Sequence, residues 1–316
     1  MITISDRPYC YPWVRAIQDG DAYLFEYGGT ITRVTGPSAV PLLSALLPRL
    51  TGARTVEEIQ RDLSAWEGAE IRQALSVLLS NGIIAVAGDV PGMREDEHLL
   101  LALLGPPTSE SPVQASQVGV AGGGGLAHAV RQLCEHAGVR GVHALAWDNT
   151  PAEPCDLVIA AADGRDLPHL HEWNRRMLAA GQRWLLVLPF DGLYGAVGPL
   201  FIPGETSCYA CLQIRRRSVL EDPELARAYD DLPAARPMGG ALTAVLAGLA
   251  VHVGLRWLAY RDARIAGILY AVHLIPQPAV SGHEVFPVPR CPACRSSGLR
   301  TPSPWYPDNR ERASSP

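Results

Sequence analysis

Two Cys-x-x-Cys pairs far apart in the chain, Cys208 with Cys211 and Cys291 with Cys294, constrain the fold more than any other feature. Two thiolates at that spacing hold one metal ion from a tight turn, and a second pair completes a tetrahedron. Four sulfur ligands with no open position suit zinc in a structural role. Two disulfides, two redox dithiols or chance spacing are the alternatives. The pairs account for four of the seven cysteines, which favours a shared Zn2+. Such a closed site pins the far C-terminal part of the chain to its middle. Cys10, Cys134 and Cys155 are scattered and read as small buried hydrophobes.

The chain has 316 residues, 47% of them hydrophobic, enough for one large domain plus a small one. Its formal net charge of −5 argues against nucleic acid as a partner. There is no lysine: all 27 basic residues are arginine. The first residues lack a basic stretch followed by an apolar one, so no secretory signal is expected. The longest apolar run, 241–258, is broken by Gly248, His252, Gly254 and Arg256, and reads as a buried helix rather than a membrane span. A cytoplasmic location without membrane association is the expectation.

Residues 13–18, 22–27 and 30–35 read as three short strands joined at Asp19, Gly20 and at Gly28, Gly29. The period then becomes helical over 37–47, with Pro37 in the first turn and Pro48 after it. Thr55 with Glu58 forms a capping-box pattern that opens a second helix ending at 63. A third helix, 69–80, carries Ile71, Leu75 and Leu78 on one face and stops at Asn81, Gly82. Residues 83–86 form a last strand. This is a small α+β domain of winged-helix type over residues 1–90. The third helix offers only Arg72 as a base, and the ninety residues hold seven arginines against ten acids, so DNA is a poor partner. The other use of the shape is peptide capture. An extended peptide adds to the edge of the third strand, at Thr30, Ile31, Thr32, Arg33 and Val34, and wedges apolar side chains against Ile71, Arg72, Leu75 and Leu78. A purely structural cap is the alternative.

Residues 91–113 read as a linker, with one short apolar helix at 98–104. From 114 the pattern is an α/β domain. A buried strand at 117–121 runs into Gly122, Gly123, Gly124 and Gly125, followed by a helix at 126–137 and a strand at 143–146. This is a β-α-β unit close to G-x-G-x-x-G, whose glycines bring backbone N–H groups near a phosphate. Asp148 stands where an acid for the ribose is expected. The pattern leaves open a nucleotide or a turn that kept its glycines for close contact. Strands at 156–161 and 183–188, a helix at 169–180, an irregular loop at 198–208, a long helix at 241–260, an antiparallel pair at 267–274 and 284–288, and a disordered tail at 302–316 complete the reading.

The glycine-rich β-α-β, the string Gly-Pro-Leu-Phe-Ile-Pro-Gly-Glu-Thr-Ser-Cys from Gly198 to Cys208, and the late cysteine pair together resemble the ThiF/MoeB superfamily of ubiquitin-activating-type enzymes. The chain is most similar to its cyclodehydratase-associated, Ocin-ThiF-like branch. The resemblance covers about 117–297 and implies a doubly wound Rossmann-type domain with a structural zinc. It also implies an N-terminal winged-helix element that holds the leader of a ribosomal precursor peptide. The implied partner is a separate YcaO cyclodehydratase, which forms azol(in)e rings, and a homodimer is implied too.

Active members of that superfamily adenylate a carboxylate. Gly122, Gly124, Gly125 and Asp148 match their glycine turn and ribose acid, and Asp163 matches an acid that holds magnesium. The segment after Asp148 is too short for the arginine motif and contains no arginine, and no lysine exists for the triphosphate. Arginine does not replace a compact ammonium there, and phosphoryl chemistry needs dense positive charge. The expectation is a vestigial nucleotide site, no use of ATP and no catalytic residue. An ATP-dependent adenylating enzyme is the rival reading.

Overall fold

The computed structural model describes residues 2–87, 95–104, 113–149, 151, 154–220 and 238–294. The chain divides into two compact units, Met1–Thr108 and Ser109–Pro316. Most of the expected linker and the expected disordered tail lie outside the described residues.

The first unit contains β1 (Arg7–Cys10), β2 (Arg15–Asp19), β3 (Ala22–Tyr27), β4 (Thr30–Thr35), α1 (Ala39–Leu46), α2 (Val56–Asp62), α3 (Gly68–Ser80), β5 (Ile84–Ala87) and α4 (Glu95–Leu104). β2, β3 and β4 form an antiparallel sheet with β4 at one edge. The turn between β3 and β4 uses Gly28 and Gly29 at φ of 54° and 79°, a left-handed pair that matches the twist of a tight hairpin. α2 opens with the capping box: Glu58 N–H donates to Thr55 Oγ1 at 3.2 Å, and Thr55 N–H donates to Glu58 Oε2 at 2.7 Å. Such a cap contributes about 1 kcal/mol. Phe25, Leu43, Leu46, Ile59, Ile71, Leu75 and Leu78 are fully sealed in one core. β1 has no counterpart in the sequence reading. It is four residues long, contains Pro8 and becomes a strand only by pairing with β5.

The second unit follows as β6 (Gln117–Ala121), α5 (Gly125–His136), β7 (Gly141–Leu145), β8 (Leu157–Ala161), α6 (Leu170–Ala179), β9 (Trp184–Leu188), β10 (Gly195–Phe201), α7 (Tyr209–Arg217), α8 (Gly240–Tyr260), β11 (Ile268–His273) and β12 (Ala279–Glu284). One seven-stranded sheet has the order β12-β11-β10-β9-β8-β6-β7. β7, β6, β8 and β9 run parallel; β10, β11 and β12 continue antiparallel. The sheet is therefore mixed and Rossmann-like. Two expectations are corrected. The stretch 198–208 is not all irregular, because Gly198–Phe201 complete the buried strand β10. The last hairpin pairs β11 with Ala279–Glu284, not with 284–288. The polar residues of β12 hid it from a reading by hydrophobicity.

Side-chain alternation sorts the layers. Leu157 and Ile159 of β8 face Gly254 of α8, where the missing Cβ lets helix and sheet approach. Val158 and Ala160 point the other way, into a cluster with Trp173 and Met177 of α6 and Tyr209 and Leu212 of α7. α8 is the one helix among the described residues long and apolar enough to cross a membrane. Here its buried residues, Leu246, Ala250, Val253 and Leu258 among them, lie in a unit where the helix packs on α5 and on β8 to β10.

Asp262, just past α8, gathers two arginines. Arg264 donates from its backbone N–H and Nε to Oδ1 at 3.1 and 2.8 Å, and Arg256 donates to Oδ2. Its side chain is only 5% exposed. The hydrogen bond from Arg264 leads in holding this carboxyl down to about 2, from 3.8. A depressed carboxylate stabilises the fold above its unfolded value and loses that contribution as pH falls from about 4 to about 2. The contribution is at most about 2 kcal/mol, because Arg264 is largely exposed and water screens its share. Urea unfolding of Asp262→Asn is expected to show a loss of that size at pH 7 that shrinks towards pH 2. A pH-independent difference would show that the charge contributes nothing.

Candidate functional site

The cysteine pairs converge as the spacing requires. Cys208 caps α7 and Cys211 sits in its first turn, while Cys291 and Cys294 follow a turn in which Cys291 N–H donates to Val288 O at 3.1 Å. The sulfur separations are 3.8 Å for Cys208–Cys211, 3.7 Å for Cys208–Cys291 and 3.6 Å for Cys211–Cys294. All four sulfurs lie within 4.8 Å of one another. Zinc–sulfur bonds of about 2.3 Å in a tetrahedron give edges of about 3.8 Å, so the donor set fits such an ion. A disulfide needs about 2 Å, and all seven cysteines are free thiols. Val288 N–H points at Cys211 Sγ, 3.3 Å away, the kind of outer hydrogen bond that steadies a thiolate ligand. The hydrogen bond from Cys208, helped by Val288, pulls the Cys211 thiol down, while burial pushes Cys294 up. Four thiolates this close repel unless they share a cation. Cys208, Cys211 and Cys291 are buried and Cys294 is half-buried.

The glycine turn leaves β6 and enters α5, with Gly124 as the N-cap. Gly122 is at φ +123°, and a Cβ there would stand 2.4 Å from the Ala161 carbonyl oxygen. Gly123 and Gly125 face open space, and a Cβ on Gly124 would stand 2.8 Å from Asp163 Oδ2. Gly122, Asp148 and Asp163 thus follow three neighbouring parallel strands, β6, β7 and β8, at their carboxyl ends, the usual place for a ligand in such a sheet. Asp163 puts a carboxylate against the turn, and its Oδ1 accepts from Arg165 N–H at 2.7 Å. Exposed Asp148 borders a hollow of about 280 Å³ lined by Trp147, His169, Glu172 and Arg176. Arg176 is engaged, donating to Glu172 Oε1 and to the Trp147 carbonyl, both at 3.0 Å.

In the first unit, β4 is paired only with β3 among the described residues. Beside it lies a hollow of about 260 Å³ walled by Val34, Pro37, Leu42, Leu43, Ala74, Val77 and Leu78, with Glu70 and Gln73 at the rim. Of the expected peptide-facing set, Val34 and Leu78 line this hollow, while Ile71, Leu75 and Leu78 itself have no exposed surface and belong to the core. Thr32 and Val34 are half-buried, Thr30 is exposed, and Ile31 is 64% exposed. Arg33 pairs with Asp21 at 3.6 Å, and Arg72 is exposed but does not line the hollow. The sequence reading missed Glu70, Gln73, Ala74 and Val77. The available signal was Val77, an apolar residue one helical step off the core stripe, which stays 36% exposed.

No protein-family profile and no curated protein matches the chain. Solved structures do. The heterocyclase TruD superposes with a TM-score of 0.66 at 23% identity, over 92% of this chain and 43% of TruD. A heterocyclase in complex with substrate and cofactor gives 0.67 at 20%, over 91% and 39%. The microcin C7 biosynthetic enzyme MccB, in complex with N-formylated MccA, gives 0.56 at 12%, over 91% and 99%. The chain spans less than half the length of the two heterocyclases and nearly all of MccB. At these identities the shared property is the fold.

Two measurements test these assignments. The purified protein is expected to carry one zinc per chain by atomic emission, and Cys211→Ser to lose it and melt earlier; a metal-free wild type would overturn the four-cysteine site. Gly122→Ala is expected to cost about 2 kcal/mol or more through its backbone clash and positive φ, whereas Gly123→Ala changes little. Equal melting curves would deny the turn its structural role.

Proposed function

We propose that this chain is a non-catalytic peptide-presenting protein in the biosynthesis of azol(in)e-containing ribosomal peptides. The first unit, read as a winged-helix recognition element, binds the leader of a precursor peptide. The second unit, stiffened by Zn2+ at Cys208, Cys211, Cys291 and Cys294, docks a YcaO cyclodehydratase. That partner uses ATP to close Cys, Ser or Thr side chains onto the preceding amide of the core peptide. In this reading the chain acts in the cytoplasm, as a homodimer.

The observation that carries the proposal is the open edge of β4 beside the apolar hollow. An added strand finds backbone hydrogen-bond partners along β4, and an alternate side chain finds a seat between Val34, Leu42, Val77 and Leu78. Tethering by the leader then gives the core peptide an effective concentration near the millimolar range at the partner's active site. The superposition on two heterocyclases supports the setting. The lack of lysine weighs against adenylation.

Val77→Glu puts a charge into the hollow at a partly exposed position, so the fold should survive. With a fluorescent precursor leader encoded beside the gene, affinity is expected to fall about tenfold or more in an anisotropy titration, and ring formation with it. Unchanged affinity would remove the groove from leader binding. ATP–pyrophosphate exchange by the purified chain with the same peptide would support the adenylating enzyme instead.

A further inference from the structure

We propose that His273 and His283 form a binding site for a divalent transition-metal ion of the nickel, copper or zinc type, separate from the four cysteines. The two histidines lie on the outermost hairpin of the sheet. The register pairs Leu269 with His283, Ala271 with Ser281 and His273 with Ala279. Residues two apart on a strand share a face, so His273, Ser281 and His283 project from the same side. They also converge. His283 Nε2 lies 2.8 Å and His273 Nε2 3.4 Å from the one hydroxyl oxygen of Ser281.

That arrangement is a chelate in waiting. A serine hydroxyl has one proton to donate, so it serves as donor to only one of two neutral imidazoles at a time. Both Nε2 atoms approach the one Ser281 hydroxyl, with lone pairs available to a shared ion when the proton rests on Nδ1. Imidazole nitrogens are good ligands for nickel, copper and zinc ions. Two of them on one tetrahedral ion stand about 3.4 Å apart at zinc–nitrogen bonds of about 2.05 Å. His273 is half-buried against Tyr194, with ring centroids 5.7 Å apart, and so is held in place. His283 is exposed, so its ring has room to turn towards His273. The six-residue ladder of β11 with β12 supplies a backbone that need not move. Ser281 then remains as a hydrogen-bond partner for a metal-bound water.

The test uses the full chain with zinc already loaded. Titration with Ni2+ by isothermal calorimetry is expected to show one nickel per chain, with zinc content unchanged before and after. His273→Ala and His283→Ala should each weaken nickel at least tenfold, while Ser281→Ala retains it. Absence of nickel binding, or binding indifferent to both histidine variants, would overturn the proposal. Release of zinc in step with nickel uptake would assign the heat to the cysteines and equally overturn it. Leader binding plays no part in these outcomes.

Discussion

The constraint on which the second unit depends is electrostatic and local. Four sulfurs packed within 4.8 Å on largely buried positions are a poor arrangement for neutral thiols and a worse one for bare thiolates. A shared cation would turn that liability into a tie between the start of α7 and residues that follow the last hairpin. The tie is reinforced outside the sulfur shell. Arg215 Nε donates to Phe286 O at 2.6 Å, and its guanidinium lies 5.9 Å from the Phe286 ring centroid, so the same helix also clamps the chain ahead of Cys291. Because metal affinity and folding are one free energy in such sites, removal of one ligand acts on the whole corner of the domain.

The two units divide the work along different physics. The central strands of the second unit's sheet, β6 and β8 to β10, are buried on both faces, and the parallel half ends in a glycine turn whose shape is fixed by close backbone approach at Gly122. That turn needs no nucleotide to explain it. In the first unit β4 has one edge without a partner among the described residues, and α1 and α3 part beside it to leave an apolar hollow rimmed by Glu70 and Gln73. Exposed edges invite pairing with another strand, and the proposed leader binding would use that tendency.

Much of this was legible in the residues. The Thr55 and Glu58 pair marked the start of α2, and Gly28 and Gly29 marked the hairpin. The cysteine spacing announced a four-sulfur centre, because a ligand set leaves a period that composition cannot blur. The misses have physical causes. β1 and β12 carry no hydrophobic alternation and exist through their partners. β10 hid behind Gly198 and Pro199, which read as loop. Ile71 and Leu75 were assigned to a peptide surface because an apolar stripe on a helix shows that a face is buried, not by what.

Sequence alone determined the cationic inventory, arginine without lysine, and the identity of the four sulfur donors, since both follow from side-chain chemistry whatever the fold. Only the tertiary structure decided which face of α3 is core and which is groove, and that Ser281 lies between His273 and His283. The first outcome depends on the angle at which elements pack, set by summed contacts between segments far apart in the chain, and the second on the register of one hairpin whose polar strand carries no alternation to fix it.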